Sequence, residues 1–352
     1  MKTIFVSLAS YRDKLCSTTI HSLFENAAYP DNVYVGVCEQ NDENDLPCMH
    51  RSSPFYKNIR MTKMHYTKAT GPAYARYLCS QLYEGEDFFF QVDSHCKFVK
   101  NWDTKLLNMM DTLFKISKKP IISHYPREYE DYEKEPSPRS KITIIKKAFI
   151  NENGIISFHG AEFISPPKIP IKSYFIAAGF IFAPGSFLEE VPFDPYLPNL
   201  FTGEEILLTL RAYTHGWDVY TPNLNILYHY YTRSDSPKFW DNNYKAPTDA
   251  EMKVKLITGH AHPKDIKSIR SPEIVQSMDT HGLGGMRTRE DFYSEVNIDK
   301  TPSPQPERGM KFYYIIFWLC FLITCILFIT TFVYFGWMKK EKMRSLKKNP
   351  KK

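Results

Sequence analysis

Short apolar runs alternate with helical stretches through the first 125 residues of the chain. Thr3–Ala9, Val33–Cys38, Thr62–Tyr66, Asp87–Val92 and Pro120–His124 read as strands. Leu15–Asn26, Pro72–Tyr83 and Trp102–Phe114 read as helices; Tyr29-Pro30 stops the first, and Gly71-Pro72 opens the second with proline in the first turn. This order predicts an α/β fold, a mostly parallel central sheet with flanking helices. Ligands bind such sheets beyond the carboxyl ends of the strands. Asp93-Ser94-His95 stands at that place, directly after the strand Asp87–Val92.

Further on, Tyr125–Pro170 is rich in Pro, Lys and Glu and reads as a long surface excursion. A helix is expected at Gly203–His215, then strands at Trp217–Tyr220 and Leu224–His229. Lys300–Arg308 is Pro-rich and reads as a stalk. Tyr313–Trp337 carries no charge and has aromatic residues at both ends. At about 1.5 Å per residue this run is long enough to cross roughly 30 Å of hydrocarbon with some tilt. The expected organisation is a domain over 1–299, a stalk over 300–312, a C-terminal transmembrane helix over 313–337 and a basic tail over 338–352.

The formal charge of +6 is unevenly placed, because Met338–Lys352 holds 8 Lys/Arg and one Glu. The remainder has 37 basic and 38 acidic residues and is close to neutral. Nucleic-acid binding, which needs a concentrated basic face, is therefore not expected. Of seven cysteines, Cys320 and Cys325 fall in the apolar run. The other five, Cys16, Cys38, Cys48, Cys79 and Cys96, show no C-x-x-C spacing and are expected to be reduced thiols. From reduced thiols and the lack of a signal peptide at the N-terminus, the large domain is expected on the cytosolic side of the membrane. The positive-inside rule argues for the opposite side.

Asp93 and His95, two residues apart on a strand-to-loop turn, can converge on a divalent cation such as Mn²⁺ that accepts both ligand types. An isolated Asp-x-His is also common in ordinary loops. His229 ends another apolar run, and by itself suits a structural role as well as a ligand. Glu204 and Glu205 open a helix after Gly203, where the helix N-terminus stabilises carboxylates whether or not they contact a substrate. His159 and His281 stand in loops without further signal. There is no G-x-S-x-G elbow, P-loop, H-E-x-x-H or strand-linked G-x-G-x-x-G.

These signals occur together in IFVSLASYRD (Ile4–Asp13), NVYVGVCEQ (Asn32–Gln40), ATGPAYARYL (Ala69–Leu78) and YEGEDFFFQVDSHCKFVKNWD (Tyr83–Asp103). Later come AAGFIFAPGSFLEEVPFDPYLPNLFTGEE (Ala177–Glu205), LRAYTHGWDVYTP (Leu210–Pro222) and HGLGGMRTREDF (His281–Phe292). With these segments the chain resembles the GlcNAc-transferase family of hydroxyproline-modifying enzymes and protozoan polypeptide α-GlcNAc-transferases. The resemblance covers about residues 3–299. Cys96 departs from it, following DSH where a larger residue is expected, and so does a C-terminal membrane helix.

The resemblance implies a GT-A fold and a retaining, metal-dependent transfer of N-acetylglucosamine from UDP-GlcNAc to a hydroxyl, on hydroxyproline, Ser/Thr or another glycan. It assigns Asp93, His95 and His229 to a metal, Mn²⁺ or Mg²⁺. Ser7, Tyr11, Arg12 and Arg76 fall near the nucleotide, with Asp93, and Arg287 near the diphosphate. Glu204 and Glu205 face donor sugar and acceptor. A metal with an arginine beside it stabilises the charge of a departing UDP without an acidic side chain. Two other readings are a transferase of another UDP-hexose, such as galactose or GalNAc, and a non-catalytic lectin-like membrane protein on the same fold.

Overall fold

The computed structural model describes residues 2–134, 140–233, 236–243, 245–299, 334 and 336–340. The chain divides into a unit over Met1–Pro302 and a second over Ser303–Lys352. The expected stalk lies outside the described residues, as does nearly all of the apolar run 313–337 and of the basic tail. Of the second unit only Tyr334 and Gly336–Lys340 are described, and they are helical. Among the described residues no helix is long and apolar enough to cross a membrane.

The first unit opens with β1 (Ile4–Tyr11), α1 (Cys16–Asn26), β2 (Val33–Asn41), β3 (Ile59–His65), α2 (Pro72–Ser80), β4 (Phe88–Asp93), β5 (Cys96–Phe98), α3 (Trp102–Leu113) and β6 (Pro120–Ser123). Next are β7 (Arg127–Glu128), α4 (Asp131–Lys134), β8 (Ile142–Ile144), β9 (Ala148–Ile150), β10 (Ile156–Phe158), β11 (Glu162–Ile164), β12 (Ile171–Ser173), β13 (Phe180–Pro184) and α5 (Phe187–Glu190). The unit closes with α6 (Glu204–Thr214), β14 (Asp218–Thr221), β15 (Leu227–His229), α7 (Phe239–Asn243), α8 (Thr248–Thr258), α9 (Pro272–Thr280), α10 (Arg289–Glu295) and β16 (Ile298–Asp299).

An eight-stranded sheet in the order β12-β14-β6-β13-β4-β1-β2-β3 forms the centre. The strands legible as apolar runs, β3, β2, β1 and β4, pair in parallel, and so do β14 and β6. β13 runs antiparallel between β4 and β6, and β12 runs antiparallel on β14, so the sheet is mixed beyond its parallel half. Burial on both faces explains the mostly apolar sequence of β1, β2 and β4: in β4, Phe88, Phe89, Phe90 and Val92 are all buried. α1 covers one face with Cys16, Thr19, Ile20, Leu23 and Phe24, the three-to-four-residue spacing of an amphipathic helix.

Two expectations are corrected here. Tyr125–Pro170 is not a surface excursion. It forms β7 to β11, pairing into β10-β9-β16, β11-β8 and β5-β15-β7, and buries Ile142, Ile144, Ile145, Ala148, Ile155 and Ile156. Second, Cys16 and Cys48 are joined by a disulfide, their Cα atoms 4.9 Å apart, while Cys38, Cys79 and Cys96 are free and buried. Spacing along the chain hid this pair, because the two cysteines stand 32 positions apart and the chain between them is folded back through β2. The bridge removes the reduced-thiol argument for a cytosolic domain.

Candidate active site

The carboxyl ends of β1 and β4, the start of α6 and the end of β15 surround a cavity of about 520 Å³. This size suits a small-molecule site. β4 delivers Asp93, and the turn after it delivers His95. β15 pairs antiparallel with β5, so His229 lies opposite Cys96 and beside His95. Their imidazole centroids are 4.6 Å apart. Ligand atoms of Asp93, His95 and His229 all lie within 4.8 Å of one another. One carboxylate and two imidazoles make a donor set that fits a borderline divalent ion. Nδ1 of His229 is buried without a hydrogen-bond partner among the described residues, and the ring is held only through its other nitrogen, Nε2, at Asp93.

The charges around the triad are ordered. Burial works to raise the Asp93 carboxyl, but the hydrogen bond from His229 and the charge of Arg76 outweigh it and hold the group far below the usual range. Nε2 of His229 is 3.0 Å from Asp93 Oδ2, and Arg76 Nη2 donates to Asp93 Oδ1 at 3.1 Å. Burial pushes the His95 imidazole down, although its bond to Asp13 works the other way. A lowered imidazole is neutral, as a metal ligand must be. Sequence reading gave Asp13 no role, although it ends the matched segment Ile4–Asp13. Its Oδ2 lies 2.7 Å from His95 Nδ1 and 2.7 Å from Ser94 Oγ.

Gly203, with φ of +103°, takes a left-handed turn that a side chain would strain, and this turn starts α6 inside the cavity. Glu204 meets Arg76, which bridges it to Asp93. Burial raises the Glu204 carboxyl, against the pull of that arginine. Glu205 accepts from Ala178 N at 2.9 Å and from Tyr125 Oη at 2.5 Å. Burial pushes its carboxyl up to about 7. Both glutamates line the cavity with Asp93, His95, His229, Arg76 and Tyr11.

Three other predicted residues stand elsewhere. Ser7 is fully buried in β1, in register with Gly36 of β2 and Gln91 of β4, and does not line the cavity. Arg12 is held by Asp45, with Nε 2.7 Å from Oδ2, and covers the ring of Tyr66 at 4.3 Å, outside the cavity wall. Arg287 donates to Trp217 O at 3.2 Å, Gly216 O at 3.3 Å and Asp218 Oδ1 at 3.1 Å, fastening the turn after α6. Besides Arg76, the cavity is lined by Arg233, four residues beyond His229, with Nη2 3.2 Å from Asp13 Oδ2. Its Nε is buried and unpartnered among the described residues. The run His229-Tyr-Tyr-Thr-Arg233 was in view in the sequence, but no spacing rule singled out its last residue.

Among solved structures, the chain is similar to GalNAc-T7, whose crystal structure holds UDP, GalNAc and Mn²⁺ (TM-score 0.56, 12% identity, 84% of this chain and 57% of that one). The chain thus spans little more than half of that protein's length. A second similar structure is S. aureus TarS, residues 1–349, in complex with UDP-GlcNAc (TM-score 0.47, 15% identity, 80% of this chain and 74% of that one). No curated protein sequence matches. At such identity the first likeness speaks for the fold alone, and the mixed α/β architecture with its central sheet fits the GT-A type. A family model described as Glycosyltransferase (GlcNAc) matches residues 3–54 and 49–302, nearly the whole first unit. The protein therefore belongs to the GlcNAc glycosyltransferase family.

Proposed function

We propose that this protein transfers N-acetylglucosamine from UDP-GlcNAc to a hydroxyl group on a protein side chain, with retention at the sugar. The observation that carries the reading is the meeting of Asp93, His95 and His229 in a cavity that also holds Arg76, Glu204 and Glu205. The three ligands would hold Mn²⁺, which when bound neutralises diphosphate charge and so eases departure of UDP.

The chain's own groups would do the rest. Arg76 keeps Asp93 ionised and aimed, and ties it to Glu204, so ligand and sugar-facing carboxylate move as one unit. Arg233 adds a positive charge on the cavity wall, in the diphosphate role that Arg287 does not reach. Glu205, gripped at both oxygens, would orient the incoming hydroxyl and accept a hydrogen bond from it.

A panel of UDP-sugars tests the donor. With purified full-length protein and Mn²⁺, UDP release is expected to be fastest from UDP-GlcNAc. Faster turnover of UDP-GalNAc or UDP-galactose would move the donor assignment, and no turnover of any sugar would overturn the transferase reading.

A further inference from the structure

One short stretch of chain, the turn from β1 into α1, holds His95 from two directions. Asp13 Oδ2 takes the ring, 2.7 Å from Nδ1, and also accepts from Ser94 Oγ at 2.7 Å. Thr19, in the first turns of α1, takes the backbone. Its hydroxyl donates to Ser94 O at 2.9 Å and accepts from Cys96 N at 2.9 Å, so one oxygen spans the chain on both sides of His95. Asp13 and Thr19 are both buried, and water does not compete for these bonds. A hydroxyl that used only its own helix would instead bond back to a carbonyl one turn earlier.

The turn that carries these groups is fastened on both sides of Asp13, and each time by the loop that follows β2. Before Asp13 stands Arg12, in the left-handed region at φ +47°, a conformation that a side chain seldom takes unsupported. Asp45 of the loop supports it, with its two carboxylate oxygens 2.7 Å from Nε and 3.1 Å from Nη2. After Asp13 stands Cys16, the first residue of α1, bonded to Cys48 at the end of the same loop. Leu15, which precedes it, supplies no side-chain cap to the helix. The loop has an anchor of its own: Cys48 N donates to Glu39 Oε2 at 2.6 Å, and Lys63 Nζ of β3 lies 2.8 Å from Glu39 Oε1.

Resting on the metal-dependent transferase reading, we propose that the start of α1 is the seat of His95: Thr19 is a positioning residue that works beside Asp13, and the Cys16–Cys48 disulfide keeps both in place. None of Thr19, Cys16 and Cys48 lines the cavity, so each acts on the metal only through His95. Groups that orient a metal ligand set its affinity, because a ligand free to turn must be ordered again when the ion binds. Affinity for Mn²⁺ is thereby tied to a covalent bridge outside the cavity.

The test is Mn²⁺ titration of the purified full-length protein by calorimetry, with circular dichroism to follow the fold. Thr19→Val keeps the shape and removes the hydroxyl, and should raise the Mn²⁺ Kd at least fivefold. Thr19→Ser keeps the hydroxyl and should stay within about twofold of wild type. Cys16→Ser with Cys48→Ser should also raise the Kd at least fivefold. In an Asp13→Asn background the same two serines should cost less than half of that fold-change, since part of what they loosen is already lost. Leu113→Ala, a core change in α3 away from the cavity, lowers stability alone and should leave the Kd within about twofold. An unchanged Kd in Thr19→Val or in the serine pair, failure of Thr19→Ser to restore it, full additivity with Asp13→Asn, or an equal loss in Leu113→Ala would overturn the proposal. UDP release by wild type is read separately. Its absence would overturn the transferase reading, and a wild type that binds no Mn²⁺ would overturn the metal site together with its seat.

Discussion

Asp13 and His95 face each other across 2.7 Å, the carboxylate fully buried and 82 residues away from its histidine in sequence. This contact fixes which imidazole nitrogen turns to the cavity: with Nδ1 donating to Asp13, Nε2 is the nitrogen left for a metal. The Asp13 carboxyl stays ionised, since bonds from His95 and the charge of Arg233 overcome a burial that would raise it. Asp13→Asn keeps the shape but weakens that grip. Removal of such a partner costs about 10–100-fold in metal affinity, so Mn²⁺ titration by calorimetry should show a loss in that range. An unchanged affinity would mean that His95 is oriented by something else.

Glycine at position 179 is required by proximity to the same triad. A Cβ built there would lie 2.7 Å from Asp93 Oδ2, closer than packed atoms approach. Gly179→Ala should therefore displace the carboxylate and weaken Mn²⁺ binding by about tenfold or more, roughly 1.4 kcal/mol. The mutant should remain folded by circular dichroism, because the clash is with the end of one side chain in a cavity.

Glu205 gives a prediction with a pH sign. Its carboxyl is raised from 4.5 to about 7 by burial, so the folded protein holds that proton more tightly than the unfolded chain does. This contribution to stability is fully present below about pH 4.5 and is lost as pH rises through 7. At about 1.4 kcal/mol per unit, discounted for access of water from the cavity, the loss is about 2–3 kcal/mol. Glu205→Gln carries no such charge. Urea unfolding should find it more stable than wild type at pH 8 and equal at pH 4.5. The same substitution should lower transfer by about 10²-fold, near 2.7 kcal/mol of barrier, with UDP affinity kept. Wild-type kcat should rise between pH 6 and 8 as the carboxylate forms.

The disulfide is checked by counting thiols. Alkylation of denatured, unreduced protein should label Cys38, Cys79 and Cys96, leaving Cys16 and Cys48 for labelling only after reduction. Closing a loop of this length stabilises by roughly 3–4 kcal/mol in the chain-entropy picture. Cys16→Ser with Cys48→Ser should lower stability by up to that amount. Seven labelled thiols in protein isolated without reductant would restore the cytosolic expectation.

What the sequence showed and hid follows from the range of the forces involved. β1, β2 and β4 were legible because both faces are buried and most positions are apolar. Asp93, His95 and His229 were legible because each closes such a run. The wall around β10 was hidden by composition: Lys146, Lys147 and Lys168 dominate the eye, while Ile142, Ile144 and Ile156 supply the burial. Cys16–Cys48 and Asp13–His95 are contacts made only when distant segments meet, and no local pattern encodes them. Arg287 was misplaced for a related reason. Resemblance gives order along a chain, whereas the cavity asks for distance, and by distance Arg76 and Arg233 are the arginines at the wall.

The most direct test of the account is UDP release from UDP-GlcNAc by the purified full-length protein, measured with Mn²⁺, with excess chelator, and after Mn²⁺ is restored. The account predicts turnover with Mn²⁺, its abolition by chelator, recovery on adding Mn²⁺ back, and no recovery at the same concentration in His229→Ala. Full turnover in excess chelator, or wild-type response to Mn²⁺ in His229→Ala, would contradict the assignment of Asp93, His95 and His229 as the metal site.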